Sequence, residues 1–184
     1  MSFRYVADPS GRPAWAGLLP GAPRPFFLSR TEGEHARLFA DTFTVLLSGD
    51  ETEGQFGVFT TQCPVGDPIP THAHAGTHEV FFIVEGKVRV YVQASDGEKT
   101  SRLLSEGDFG FVPAGALHAY RVEAPARILG VATGGFERFF QRMGTPTDIA
   151  DPGTPPFVPD PPRMQAAAEA YHIRFLPEFR WPDP

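Results

Sequence analysis

The chain has 184 residues, of which 41% are hydrophobic, and a formal net charge of −6 at pH 7. Acidic residues outnumber basic ones and no basic run occurs, which argues against nucleic-acid binding. No apolar run approaches the ~18 residues that a membrane span needs, no secretory leader is recognisable, and the single cysteine, Cys63, permits no internal disulfide. We therefore expect a soluble, cytoplasmic protein.

The first part of the chain predicts strands joined by turns. Residues 1–25 are rich in Pro and Gly and predict an extended arm. Beyond them, β-type runs alternate with turn residues about every 8–12 positions, which is typical of all-β sandwiches and barrels. In residues 87–93, "KVRVYVQ", the valines share one face and the polar residues the other, as in a half-buried strand. We expect a turn at Glu85–Gly86, just before that strand.

The pattern changes to a helical period after residue 135. In "FERFFQRM" the apolar residues recur at i, i+3, i+4 and i+7, so a helix is expected between Thr133 or Gly134 and Gly144. A Pro-rich extended connector follows, and then a second helix that Asp160 can cap. The apolar tail suggests docking on the barrel or on a second copy, so a homodimer is expected.

We divide the chain into three segments on this basis. Residues 1–40 form the N-terminal arm and first strand, residues 41–134 form the barrel, and residues 135–184 form a helical and Pro-rich C-terminal segment.

The stretch "THAHAGTHEV" (71–80) carries the clearest chemistry. His72 and His74 are two apart, so on a strand both imidazoles point to one side. "AGT" can turn the chain and let Glu79 begin a new strand that faces the same point, whereas His78 then points away, to the surface or to a supporting role. With His118, at the start of a later strand, the four residues suit one metal ion.

Two segments around these residues resemble the paired motifs of the cupin superfamily. "GDPIPTHAHAGTHEVFFIVEG" (66–86) is similar to the first motif, and "GDFGFVPAGALHAYRV" (107–122) is similar to the second, although Val122 stands where Asn is usual. The resemblance implies an all-β fold. This would be a cupin jelly-roll β-barrel, with the metal inside near one mouth, short C-terminal helices and extended terminal arms.

The flanking sequence is similar to the quercetin 2,3-dioxygenases, in particular the bacterial single-cupin type. This resemblance implies opening of the central ring of a flavonol with O2, releasing carbon monoxide and leaving a depside. It also favours Ni or Co as the one divalent metal ion per chain, with Mn, Fe or Cu as possible substitutes, because three His and one Glu suit several such ions.

Two further roles follow from this reading. Glu79, as the one carboxylate among the ligands, is the candidate catalytic base. A flat aromatic substrate would need an apolar pocket, and the candidate lining residues are Phe81, Ile83, Phe109, Phe111, Tyr120, Phe136, Phe139 and Phe140.

Three alternatives stay open at this stage: another cupin dioxygenase acting on an acireductone-like or catechol-like acid, a sugar isomerase cupin, and a noncatalytic cupin that binds a small molecule.

Overall fold

The computed structural model of the chain describes Trp15 and residues 17–66, 68–148 and 155–182. Among these residues the strands are β1 (Glu34–Leu38), β2 (Asp41–Leu47), β3 (Gly57–Cys63), β4 (His72–His74), β5 (Glu79–Gln93), β6 (Lys99–Ser105), β7 (Phe109–Val112), β8 (Leu117–Ala132), β9 (Thr145–Pro146) and β10 (Ile173–Phe175). The helices are α1 (Glu137–Met143) and α2 (Pro161–Ala170).

The strands form a curved antiparallel sheet around an apolar interior, which confirms the predicted all-β jelly roll. One path through the sheet runs β10-β4-β8-β3-β2-β1-β9, and β5 pairs with β6, β7 and β8. β5 and β8 are the longest strands and pair along most of their length. Their inward residues build much of the core, where Ile83 and Val88 are completely buried.

The turn predicted at Glu85–Gly86 is wrong, because β5 continues through it. The register shifts between Ile83 and Val88, so this stretch is a bulge within one long strand. Gly86 has φ +88°, and a Cβ at this position would collide with the backbone of Pro125 on β8. Gly86, which the sequence pattern assigns to a turn, is therefore a glycine because the backbones of β5 and β8 approach closely here.

Both predicted helices are present. α1 begins at Glu137, after Phe136, and Gly144 follows its last residue. α2 begins after Asp160, whose side chain accepts a hydrogen bond from the Arg163 amide at 2.8 Å, as expected for an N-cap. Neither of these helices is long and apolar enough to cross a membrane.

The C-terminal segment also contributes strands, which the sequence pattern does not predict. β9 pairs with β1, and β10 pairs with β4, the strand that carries two of the histidines. Most of the predicted N-terminal arm, and residues 149–154 of the predicted connector, lie outside the described residues.

Candidate metal centre

Three strands bring the four predicted metal ligands together. β4 carries His72 and His74, Glu79 is the first residue of β5, and His118 lies near the start of β8. His72 is the register partner of His118. One ligand atom from each of the four residues lies within 4.8 Å of the others, so a single ion can reach all of them.

The link between β4 and β5 sets the direction of Glu79. The chain bends after His74, where Gly115 donates its amide to the His74 carbonyl at 2.7 Å. The next strand is tied to the end of β8 by two hydrogen bonds between His78 and Thr133. β5 therefore starts in a new register, and Glu79 faces the histidines, as the sequence predicts.

Hydrogen bonds orient two of the imidazoles. The Nδ1 atom of His72 lies 2.8 Å from the Pro70 carbonyl, and the Nδ1 atom of His118 lies 3.0 Å from the Ala116 carbonyl. Bonds of this kind fix the ring and leave Nε2 free for a metal. The Nε2 atom of His118 lies 2.9 Å from Oε2 of Glu79.

His74 provides the sharpest test of whether the residues fit a metal ion. Its side chain is 1% exposed, and neither ring nitrogen has a hydrogen-bond partner among the described residues. Burying an imidazole whose nitrogens have no hydrogen-bond partner destabilises the fold, unless another group binds one of those nitrogens. Since three further ligand atoms surround it, a divalent transition metal fits this site.

The protonation states also suit a metal. Burial lowers the pKa of His72 to about 3, helped by the neighbouring imidazoles, and lowers that of His74 to about 4. Burial alone would raise the pKa of Glu79, but the His118 hydrogen bond and the nearby histidines lower it to about 2. His72 and His74 are thus neutral and Glu79 is ionised near neutral pH, as ligands must be. Burial opposes protonation of His118, but the hydrogen bond to Glu79 raises its pKa, so a metal ion would have to displace that proton.

His78 lies outside the ligand set. Its side chain is exposed, its Nδ1 atom accepts a hydrogen bond from the Ala114 amide at 3.1 Å, and its ring stacks near that of Phe111. Strand alternation places it on the opposite face from Glu79, as predicted.

Four of the predicted pocket residues lie on the interior side of the barrel or against a ligand. Phe81 and Ile83 follow Glu79 on the inner face of β5, and both are buried. The ring of Tyr120 meets that of Phe81 edge-on, with centroids 6.1 Å apart. Phe136, just before α1, has its ring centroid 4.2 Å from that of His74.

The other four predicted pocket residues require correction. Phe109 and Phe111 are 61% and 52% exposed, because Gly110 and Val112 take the inward positions on β7, opposite Phe81 and Glu79. These two rings therefore point out of the barrel and cannot line its interior.

Phe139 and Phe140 are buried, but in the packing between α1 and the sheet. Phe140 stacks on Phe43 at 3.9 Å and also meets Phe59. Phe139 lies between Phe136, Phe140 and Tyr171. Of the helical phenylalanine stripe, only Phe136 contacts a ligand histidine.

Sequence reasoning missed the contribution of the C-terminal tail to this site. The ring of Phe175 lies 5.8 Å from that of His72, and Trp181 donates its indole N–H to the Thr71 hydroxyl at 2.8 Å. About 100 residues separate each pair along the chain, so no local pattern could reveal these contacts.

Sequence reasoning also missed a polar group inside the barrel. Asp41, the first residue of β2, accepts a hydrogen bond from the Tyr120 hydroxyl at 3.4 Å. Burial raises the pKa of Asp41 to about 7, against the opposing hydrogen bonds from Tyr120 and Cys63. The sequence pattern places Asp41 only at the start of an ordinary strand run and indicates no further role for it.

Comparisons with known proteins agree with this geometry. Residues 59–132 match the model of the cupin domain family. The chain is 32% identical over 130 residues to the quercetin 2,3-dioxygenase of Bacillus subtilis, covering 70% of this chain and 37% of that protein. It is 28% identical over 147 residues to the quercetin 2,3-dioxygenase of Aspergillus japonicus, covering 76% and 41%. The chain thus spans less than half the length of these curated relatives.

A solved structure supports the fold. An oxalate decarboxylase from Bacillus subtilis, determined at pH 4.6, superposes with a TM-score of 0.52 at 18% identity, over 63% of this chain and 32% of that one. At this identity the likeness concerns the fold alone. Residues 59–132 therefore match the cupin domain family, and the chain around them is similar to the quercetin 2,3-dioxygenases.

Proposed function

We propose that the chain is a metal-dependent dioxygenase that opens the central ring of a flavonol such as quercetin with O2, releasing carbon monoxide and leaving a depside. The observation that carries this proposal is the convergence of three histidines and Glu79 inside a barrel with aromatic walls. Sequence similarity to two quercetin 2,3-dioxygenases supports the choice of substrate.

The proposed cofactor is one divalent transition metal ion, held by His72, His74, Glu79 and His118. Ni or Co is favoured, and Mn, Fe or Cu would also suit these donors. When bound, such an ion supplies Lewis acidity, which favours the deprotonated form of a hydroxyl group beside it.

Glu79 is the proposed base. Its carboxylate is ionised at neutral pH and buried, and its hydrogen-bond partner is the imidazole of His118. It would accept the proton of the flavonol 3-hydroxyl and return it to the product, with His118 keeping the carboxylate aimed at the substrate. The electron-rich flavonolate is then the species that O2 attacks.

The aromatic side chains near the ligands would hold the flat rings and exclude water. Phe81 and Tyr120 lie on the interior side, Phe136 packs on His74, and Phe175 lies beside His72. Stacked and edge-on aromatic contacts suit a planar polyphenol.

We also propose a homodimer, formed through the outer aromatic face, which consists of Val80, Phe82, Phe109 and Phe111. Phe82 pairs with Phe109 across β5 and β7, and Val80 pairs with Phe111, so the four side chains form one patch. Exposed apolar patches of this kind mark interaction surfaces. A second copy is the natural occupant because a twofold axis through the patch covers both copies at once.

The direct test is to load the purified protein with each candidate metal and add quercetin in air. We expect loss of the flavonol absorption band with one O2 consumed and one CO released per flavonol. Quercetin binding without oxygen uptake under every metal would contradict the proposal and favour a noncatalytic binding protein. Oxygen uptake with an acireductone, but not with quercetin, would favour the alternative dioxygenase.

A further inference from the structure

A second polar group lies inside the barrel, apart from the metal ligands. The carboxyl group of Asp41 on β2 accepts a hydrogen bond from the hydroxyl of Tyr120 on β8 and lies beside the thiol of Cys63 on β3. Cys63 is 3% exposed, whereas Asp41 and Tyr120 are half-buried. Three strands thus converge on one partly exposed carboxyl group.

The carboxyl group is weakly satisfied by its present partners. The Tyr120 hydroxyl is 3.4 Å from Oδ2, whereas hydroxyl–carboxylate hydrogen bonds are usually 2.5–3.0 Å long. The other partner is a thiol, which is a weak donor. A carboxylate can accept about four hydrogen bonds, so a stronger donor has room to bind here.

The position of this group relative to the ligands fits a flat substrate. Tyr120 follows His118 by two residues on the inner face of β8, a step of roughly 6.5 Å along a strand. Phe81 follows Glu79 in the same way on β5, and the two aromatic rings meet edge-on. Tyr120 thus lies one inward-facing step from His118 and contacts Asp41, with the ring of Phe81 beside it.

We propose that Asp41 and Tyr120 form a subsite that binds a phenolic hydroxyl of the substrate, remote from the hydroxyl that faces Glu79. A phenol is a strong hydrogen-bond donor, which suits Asp41, and it can also accept the Tyr120 proton. This inference rests on the proposed function. It defines the substrate class as flat phenols with a second hydroxyl on a ring away from the reacting one.

The test compares two flavonols with the metal-loaded protein. Quercetin carries hydroxyls on its outer rings, whereas 3-hydroxyflavone carries only the reacting one. We expect the wild type to prefer quercetin in kcat/KM by roughly 10–100-fold, the range of one hydrogen bond to a charged group. In Asp41→Ala the preference should fall to within about twofold, through a loss on quercetin alone, with metal content unchanged.

Two conservative variants keep the test independent of folding. Tyr120→Phe removes one oxygen atom and should reduce the preference several-fold, and Asp41→Asn preserves the packing and should also reduce it. Tyr91→Phe is the matched control, because Tyr91 is buried on the opposite face of the sheet, against Trp181. It should leave the preference unchanged.

The outcomes separate this inference from the proposed function. If the wild type turns over quercetin and the three Asp41 and Tyr120 variants keep its preference, the subsite is wrong and the proposed function stands. If the wild type turns over neither flavonol with any metal, the proposed function is wrong and the subsite falls with it.

Discussion

At the scale of single residues, the two roles proposed for Glu79, metal ligand and base, require opposite protonation behaviour. As a metal ligand it must stay ionised, and the surrounding histidines lower its pKa to about 2. As a base it must take a proton once the substrate is bound. Entry of the substrate would expel water from the site and favour the neutral form of the carboxyl, which reconciles the two roles.

The variant Glu79→Gln separates binding from turnover. The amide oxygen can still approach a metal beside three histidines, but it cannot accept the proton. We expect flavonol turnover to fall by at least about 100-fold, while metal analysis finds much of the ion retained. Glu85→Gln, an exposed change on the same strand, is the control. Wild-type turnover in Glu79→Gln would remove the residue from the base role.

Asp41 predicts a pH-dependent stability. Its pKa is about 7 in the fold, against 3.8 ordinarily, so between these values the folded protein holds a proton that the unfolded chain releases. Stability from this group is therefore present at low pH and lost as pH rises through about 7. The groups that face Asp41 are Arg37 on β1, Cys63 on β3 and Tyr120 on β8.

As the pH rises from 5 to 7, we therefore expect the free energy of unfolding of the wild type to fall by about 1 kcal/mol per pH unit relative to that of Asp41→Asn. Urea unfolding of both proteins at several pH values measures the difference. A constant stability gap across this range would mean that the carboxyl is not desolvated in the folded protein.

At the scale of elements, two parts of the C-terminal segment, α1 and β10, hold the site in shape. α1 is anchored by the buried Arg138, which pairs with Glu34 on β1 and donates to Gln141 at 2.8 Å. Glu137 reaches back to the Gly49 amide at 2.8 Å and packs on Gly57, where any side chain would collide with it. This anchoring keeps Phe136 against His74.

Replacing Arg138 by Met should destabilise the fold by about 3–5 kcal/mol, because the partner carboxylate is left buried and unpaired. Chemical unfolding measures the loss. Arg142→Met, on the exposed side of the same helix, should change stability by less than about 0.5 kcal/mol. Adding Glu34→Gln to Arg138→Met should restore part of the loss, and no restoration would show that the pair is not the anchor.

The second element is β10, which covers the open edge of β4. Ala75 donates its amide to His172, and Leu176 donates to Thr71. Hydrogen-bonding positions recur at every second residue of an antiparallel strand, and Arg174 lies two residues from both His172 and Leu176. The Arg174 amide is therefore also at a hydrogen-bonding position, opposite Ala73. β10 thereby holds the backbone on both sides of the two candidate ligand histidines of β4.

Arg174→Pro removes this amide and should weaken metal binding by about 10-fold or more, the effect typical of lost support behind metal ligands. Arg174→Ala keeps the amide and should bind metal as the wild type does, since the side chain is exposed. Equal metal affinity of the two variants, measured by competition with a chelator, would contradict a supporting role for β10.

At the scale of the whole molecule, the outer aromatic face predicts self-association. Phe82, Phe109 and Phe111 are each 37–61% exposed on one side of the sheet. The double variant Phe109→Lys, Phe111→Lys should convert the proposed dimer to a monomer, measured by light scattering during size-exclusion chromatography. Phe27→Lys, at an exposed position of the N-terminal segment, is the control. A double variant with the mass of the wild type would contradict this interface.

Local periods in the sequence determined the all-β class and the common direction of His72, His74 and Glu79, whereas the jelly-roll barrel was implied by the resemblance of two segments to the cupin motifs, the second of which contains His118. Strand alternation placed His72 and His74 on one side, and the turn residues between β4 and β5 reset the alternation, so that Glu79 joins them and His78 points away. Asp160 as a helix cap followed from the same kind of local rule.

Only the tertiary structure decided which faces are covered and which distant residues meet. The alternation on β7 was readable, but whether Phe109 faced the core or solvent depended on its pairing with β5. The sequence pattern predicts a turn at Gly86, but in the fold this residue lies inside β5, packed against the backbone of Pro125. The meetings of Asp41 with Tyr120, and of Phe175 with His72, join residues some 80–100 positions apart. Packing and strand pairing set such contacts, and no period along the chain encodes them.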